Sequence, residues 1–186
     1  MNVFLDTSSQ DFVLVLFDQE FRVLDFILLK GYKKKVELIT QQFAILLERN
    51  NLAIQNINAL YTNVGPGFFT GIRSSLVFFR TLALLNNIKM YITTTMDLIK
   101  VQYPNTKIAY TDAQGNKLYQ YEFDKYDVSN FHNCISVVEN HNQTLNNINY
   151  DEMIKNFAAY KNCFRFAETM EIEALYIKLP QIGGVK

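Results

Sequence analysis

Two short stretches hold residue types suited to phosphate chemistry. Asp6-Thr7-Ser8-Ser9 directly follows the apolar run Val3 to Leu5. There a carboxylate, hydroxyls and turn amides can surround a phosphate or its magnesium ion. The same four residues also make an ordinary Asx or Ser/Thr turn between two strands. The second stretch, Gly65-Pro66-Gly67-Phe68-Phe69-Thr70-Gly71-Ile72-Arg73, reads as a strand-loop-helix junction whose glycines permit positive φ and whose Thr70 can cap the helix. Amides at a helix N-terminus can cradle an anion. The loop nevertheless lacks the Lys-Ser/Thr ending of a Walker loop and the G-x-G-x-x-G spacing of a dinucleotide site, so local physics favours a rigid capped turn. Asp6, Thr7, Gly65, Gly67 and Thr70 are the candidate residues of a vestigial phosphate site.

Other chemistries find little support. His132 and His141 are the only histidines, and neither forms an H-E-x-x-H or H-x-x-x-H pair that would hold a metal. No G-x-S-x-G elbow presents a nucleophile. Cys134 and Cys163 make no C-x-x-C pair and no disulfide framework, which fits a reduced, cytoplasmic setting. Eighteen basic residues balance eighteen acidic ones, so the chain has no global field to hold a polyanion by itself. Lys33-Lys34-Lys35 is a local exception, read as a solvated run with a minority reading as a contact for tRNA phosphate or an acidic partner. The first residues lack a cleavable signal, and no apolar run approaches the roughly 20 residues of a membrane-spanning helix.

The elements that would position these motifs follow from periodicity. With 186 residues, 49% of them hydrophobic, the chain can bury a real core in one domain or two small lobes. Val3 to Leu5, Phe12 to Phe17 and Val23 to Leu29 read as an antiparallel meander. Steps of three and four among Val36, Ile39, Phe43, Leu46 and Leu47 predict a helix over 33–49 lying on a sheet, with Asn50-Asn51 as its stop. Ile57 to Thr62 reads as a buried strand, Thr70 to Leu85 as a second helix, and Met90 to Thr93 as a strand again. An antiparallel start followed by strand-helix-strand crossovers argues an α/β lobe with a mixed sheet. Tyr103-Pro104-Asn105 marks a lobe boundary, giving units of 1–103 and 104–186. Beyond it, 107–111 and 117–123 flank the turn residues of a hairpin. Residues 126–160 are Asn-rich and weakly patterned, and Glu173 to Leu179 is expected to form one more strand.

The second helix is apolar nearly all round, with only Arg73, Ser74, Arg80 and Thr81 as a polar strip. A helix on one sheet needs a single apolar face, so the surplus implies burial from both sides or a partner protein on the outer face.

Taken together, Val3-Phe4-Leu5-Asp6-Thr7-Ser8, the loop Gly65 to Arg73, the run Ile92 to Leu98 and Asp112-Ala113-Gln114-Gly115-Asn116-Lys117-Leu118-Tyr119 resemble the TsaB family in order and spacing. Ala174-Leu175-Tyr176-Ile177-Lys178 looks like that family's closing strand. The resemblance implies the actin/Hsp70/sugar-kinase (ASKHA) fold, two related α/β lobes with mixed sheets, here with a reduced second lobe. It also implies a role: a subunit without catalytic residues that pairs with the metal-binding transferase TsaD, which places threonylcarbamoyl on the adenosine beside the anticodon of tRNAs reading ANN codons. The ATPase TsaE docks on that pair. ATP or ADP belongs to the assembled complex, and no cofactor is expected on this chain alone. The interface residues so implied are Phe68, Phe69, Arg73, Leu76, Val77, Phe79 and Arg80 around the second helix, with Phe43 and Leu47 from the first. Without its partner the same surface could close a homodimer.

The chain departs from the family where Lys35-Val36 replaces a His-Ser pair, and where Val77 and Phe79 replace small residues and would hold a partner helix further away. The competing readings are an actin-like ATPase or kinase binding ATP at Asp6, Thr7 and the Gly65–Thr70 loop, and a glycoprotease-type peptidase.

Overall fold

The computed structural model describes residues 1–32, 35–127 and 130–178. The opening meander forms as expected. β1 (Asn2–Asp6) pairs antiparallel with β2 (Phe12–Phe17), which pairs antiparallel with β3 (Val23–Leu29). Chain then leaves the sheet through α1 (Lys35–Arg49) and returns as β4 (Ala59–Asn63), parallel to β1 with Val3 opposite Leu60. A crossover through α2 (Phe69–Asn86) adds β5 (Lys89–Thr93) parallel to β4. The expected helices and strands of this half are therefore present within a few residues, and Asn51 leaves α1 at φ +52°.

Every residue of β1 and β2 is buried, as befits strands covered on both faces, which read as continuous apolar runs rather than alternating ones. On one face Val3, Leu5, Leu14 and Leu16 meet Ile39, Phe43, Leu46, Leu76, Phe79 and Ala83 of the two helices. On the other, Phe4, Val15 and Phe17 meet Met96, Leu98, Tyr150 and Phe157. That second layer is supplied by α3 (Thr95–Gln102), which contributes Met96 and Leu98, and by residues that follow it, Tyr150 and Phe157.

A second sheet holds β6 (Ile108–Asp112), β7 (Lys117–Glu122) and β8 (Ile135–Glu139), all antiparallel. Its hairpin turn places Gln114, Gly115 and Asn116 at positive φ, the job for which Asn and Gly are suited. After α4 (Tyr150–Lys155) the chain crosses back, and β9 (Arg165–Ala167) pairs antiparallel with β5 at the edge of the first sheet, whose order is β3-β2-β1-β4-β5-β9. The first sheet thus takes its last strand from beyond the second sheet, and one buried cluster joins Phe4 and Met96 to Tyr121 and Phe157.

One expectation needs correction. Residues 173–178 form no strand. They run beside the first sheet, Leu175 N donating to Val64 O at 2.7 Å, because β9 already occupies the edge they would need; Leu179 lies outside the described residues. The Asn-rich 126–160 region contains β8 and α4, where little pattern was legible. Of the lysine run, Lys33 and Lys34 lie outside the described residues, and Lys35 opens α1. No helix among the described residues is long and apolar enough to cross a membrane.

Candidate functional site

The two motifs that could do phosphate chemistry do meet, at the carboxyl ends of β1 and β4. Asp6, fully buried, accepts hydrogen bonds from Ser8 N at 2.8 Å, Asn63 Nδ2 at 3.0 Å and Tyr150 Oη at 2.8 Å. A carboxylate inside a protein has to be satisfied in this way. Burial and the neighbouring Asp6 push the Tyr150 phenol well above its ordinary range, so it stays a neutral donor. Asn63 organises the rest. Its amide also faces Ser8 Oγ at 2.9 Å and Thr95 Oγ1 at 3.0 Å, while its carbonyl accepts from Gly65 N at 2.8 Å. Thr95 Oγ1 donates to Pro66 O at 2.7 Å. Thr7 Oγ1 donates to Gly71 O at 2.8 Å.

Of the expected vestigial phosphate set, Asp6, Thr7 and Gly65 N are engaged in internal bonds. Asp6 is closed over by Tyr150, and Thr7 is tied to α2. Gly65 has φ +105°, but Gly67 is glycine for another reason: a Cβ there would lie 2.2 Å from Ser8 O. Thr70 does not cap α2. The N-cap is Phe68, in an extended conformation and with no side-chain cap bond, which leaves Thr70 exposed one residue into the helix. The single capping box at this end of the sheet belongs to α3, where Thr94 accepts from Asp97 N and the Asp97 carboxylate accepts from Thr94 N. That signal, Thr-x-x-Asp before an apolar run, was present in the sequence and was missed.

Asp97 anchors a second junction. Its carboxylate accepts from Tyr126 Oη and, at 3.0 Å, from Arg165 Nη1, and its backbone carbonyl faces Cys163 Sγ at 3.6 Å. Burial, with the Asp97 charge adding, pushes the Cys163 thiol up to about 12. Burial likewise raises Cys134. Both thiols should then resist iodoacetamide at pH 8 in the folded protein and alkylate at ordinary thiol rates in denaturant; mass spectrometry of a labelling time course reads the difference.

The implied interface residues divide sharply. Phe43, Leu47, Leu76 and Phe79 are core, Phe79 completely so, because the 3.6-residue period turns them toward the sheet. They face the chain's own sheet, and only Val77 of the two bulky substitutions stands on the outer face. Arg80 Nη2 donates to Ile172 O, binding α2 to the chain's own later segment. Phe69 lies between the Arg73 guanidinium, 5.3 Å from its ring centroid, and the Tyr176 ring at 4.8 Å. Phe68 is half-buried, its N–H donating to Ser8 O at 2.6 Å. The apolar side chains that α2 does expose are Val77 at 58%, Leu84 at 53% and Leu85 at 77%. Val77 and Leu84 are seven apart, hence on one side of the helix. His132 and His141 are exposed, and no three metal-ligating side chains cluster among the described residues.

A family model described as TsaD: tRNA N6-adenosine threonylcarbamoyltransferase matches residues 32–178. No curated protein matches the chain. Among solved structures, an uncharacterized protein with similarity to peptidase YEAZ from Pseudomonas aeruginosa superposes with a TM-score of 0.67 at 14% identity, over 95% of this chain and 99% of that one. YeaZ from Pseudomonas aeruginosa superposes with a TM-score of 0.59 at 17% identity, over 77% of this chain and 70% of that one. At such identities the likeness speaks for the fold. It is a mixed α/β fold of two sheets, consistent with the actin-like architecture expected above.

Proposed function

The chain belongs to the TsaD family of tRNA N6-adenosine threonylcarbamoyltransferases, and from that premise we propose that it is a TsaB-like member acting as a scaffold, pairing with a catalytic TsaD rather than transferring threonylcarbamoyl itself. The observation that carries this reading is the Asp6 carboxylate: at the place where a nucleotide-using lobe would present an acid to magnesium, it is fully buried and already accepts from three internal donors. Binding is then what the surface offers. Val77, Leu84 and Leu85 form an apolar ridge on α2 that no part of the described chain covers, and burying such a ridge in a partner is worth on the order of 4 kcal/mol. Arg73, also exposed, lies one turn before Val77.

Reconstituted threonylcarbamoyl transfer tests the proposal. This chain alone should give no modified tRNA, the TsaD of the same genome alone should give little, and the two together should give at least about tenfold more, a coupling of about 1.4 kcal/mol or greater. Transfer by this chain alone, or tight binding of magnesium ATP to it in a calorimeter, would return the account to an actin-like enzyme.

A further inference from the structure

On the face of the first sheet that carries Phe4 and Phe17, side chains of neighbouring strands stand in rows. One row runs Asn2, Ala59, Lys89, and the next runs Phe4, Tyr61, Tyr91, Phe166. Ala59 is the small member of the first row, and a groove of about 750 Å³ opens to solvent there, at the amino ends of β1, β4 and β5. Ligand sites commonly enclose roughly 300–1,000 Å³.

Two nearly buried polar groups in its wall have no partner. Asn2 and Tyr61 are 5% and 6% exposed. Asn2 Nδ2 donates to Asp18 O at 3.1 Å, which leaves Oδ1 without a donor. The Tyr61 ring is enclosed by Phe17, Phe21, Phe164 and Tyr91, and its hydroxyl has no hydrogen-bond partner among the described residues. Burial, with Tyr91 adding, pushes that phenol up to about 12, so it is a neutral donor. Among the described residues Arg80 Nε is the one side-chain polar atom sealed from solvent without a partner. Asn2 Oδ1 and Tyr61 Oη therefore open onto the groove, and buried polar groups of this kind are ordinarily satisfied.

The rest of the lining decides the class of ligand. Gln55, Asn58 and Asn87 make no side-chain hydrogen bond among the described residues, and each presents the same N–H donor and C=O acceptor as a peptide group. Ile57 and Ile88 supply apolar wall. No carboxylate lines the groove; Asp18 and Glu20, on either side of Gln19 in the chain, are both held by Arg22. The charged side chain in the lining is Lys89, which is exposed and in no ion pair among the described residues. Next to Asn2, the Met1 ammonium donates to Asn56 O. The balance of charge thus favours an anionic end group. A nucleobase or sugar ring is ordinarily held against an aromatic face, and none is open here. Tyr61 stacks on Tyr91 at 4.7 Å and 9°, and Phe166 meets Tyr91 from the other side at 5.9 Å.

We propose that this groove binds the carboxyl-terminal end of an extended peptide, its terminal carboxylate at Lys89, its backbone groups on Asn2, Asn58 and Tyr61, and a side chain against Ile57 and Ile88. Asn2 and Lys89 are two strand spacings apart, about 10 Å, which about three residues of extended chain cover. The site does not rest on the outer face of α2 and stands whether or not the chain pairs with a transferase. Titration of the isolated full-length chain with acetyl-Ala-Ile-Ala-Val, followed by ¹H–¹⁵N NMR, tests it. The comparison ligands are the same peptide with an amidated terminus, maltotriose and adenosine 5′-monophosphate. The expected result is saturable binding of the acid with shifts confined to groove residues, at least fivefold weaker binding of the amide, and at least tenfold weaker binding of the sugar and the nucleotide. Lys89→Gln should lower the acid to the affinity of the amide and leave the amide unchanged. Tyr61→Phe removes a hydroxyl with no internal partner, so it should melt like the parent and weaken both peptides at least threefold. Failure of the acid to saturate overturns the proposal. So does equal affinity for the amide, preference for the sugar or the nucleotide, or undiminished binding of the acid by either variant.

Discussion

Gly71→Ala should leave the chain largely insoluble, or melting far below the parent, although it adds one methyl group at a position where helix propensity favours alanine. A Cβ at residue 71 would sit 2.0 Å from Thr7 O. Both groups are backbone, one in the first turn of α2 and the other immediately after the buried strand β1, so neither can rotate away. Separating them means moving α2 off the sheet and breaking the Thr7 Oγ1 to Gly71 O bond. Gly67→Ala meets the same obstacle at Ser8 O. Overpacking usually costs about 1–3 kcal/mol, and these two backbone clashes should reach or pass the top of that range. For a domain with a total of about 5–15 kcal/mol, either change removes a large fraction of stability. Thermal melts of the two variants against Thr70→Ala, which is exposed and should be near neutral, give the comparison.

The second large effect is expected at Asp6. Asp6→Ala leaves Ser8 N, the Asn63 amide and the Tyr150 hydroxyl facing a hole. Unpaired buried donors cost about 1–3 kcal/mol each, so a loss of about 4 kcal/mol is expected in a denaturant melt. Asp6→Asn is nearly isosteric and still should not rescue it. In one orientation the new NH₂ would face the Ser8 N–H, and in the other the Asn63 NH₂, which cannot flip because the Asn63 carbonyl accepts from Gly65 N. If Asp6→Asn were as stable as the parent but lost a ligand or an activity, the carboxylate would be functional rather than structural, and the scaffold reading would fail with it.

The first lobe was legible because its signals are local. Continuous apolar runs marked β1, β2 and β4, and the 3.6-residue stripe of Ile39, Phe43, Leu46 and Leu47 marked α1. The stripe did not show which side of α2 faces the sheet. That helix is apolar nearly all round, so Leu76, Val77 and Phe79 looked equivalent until Leu76 and Phe79 proved to be core and Val77 surface. Glycine function was similarly hidden: Gly67 and Gly71 are required by what approaches them, Ser8 O and Thr7 O, and sequence distance conceals that approach. The role of Tyr150 was out of reach for the same reason, since it meets Asp6 across 144 residues. The closing strand was misplaced because Arg165–Ala167 is three residues long, too short to show alternation, whereas 173–178 looks stranded and is not.

The central claim is that a face of α2 is made for a partner protein, and one measurement addresses it directly. The chain and the TsaD of the same genome are co-expressed, and the purified product is sized by chromatography with light scattering. Val77→Asp and Leu84→Asp change exposed positions and should leave the free chain folded, with stability shifts within about 0.5 kcal/mol, whereas Phe79→Asp, fully buried, should unfold it. The account predicts a stable one-to-one complex for the parent, lost in both exposed variants while their circular dichroism is unchanged. A complex formed equally well by Val77→Asp and Leu84→Asp, or no complex under any nucleotide condition, would contradict it.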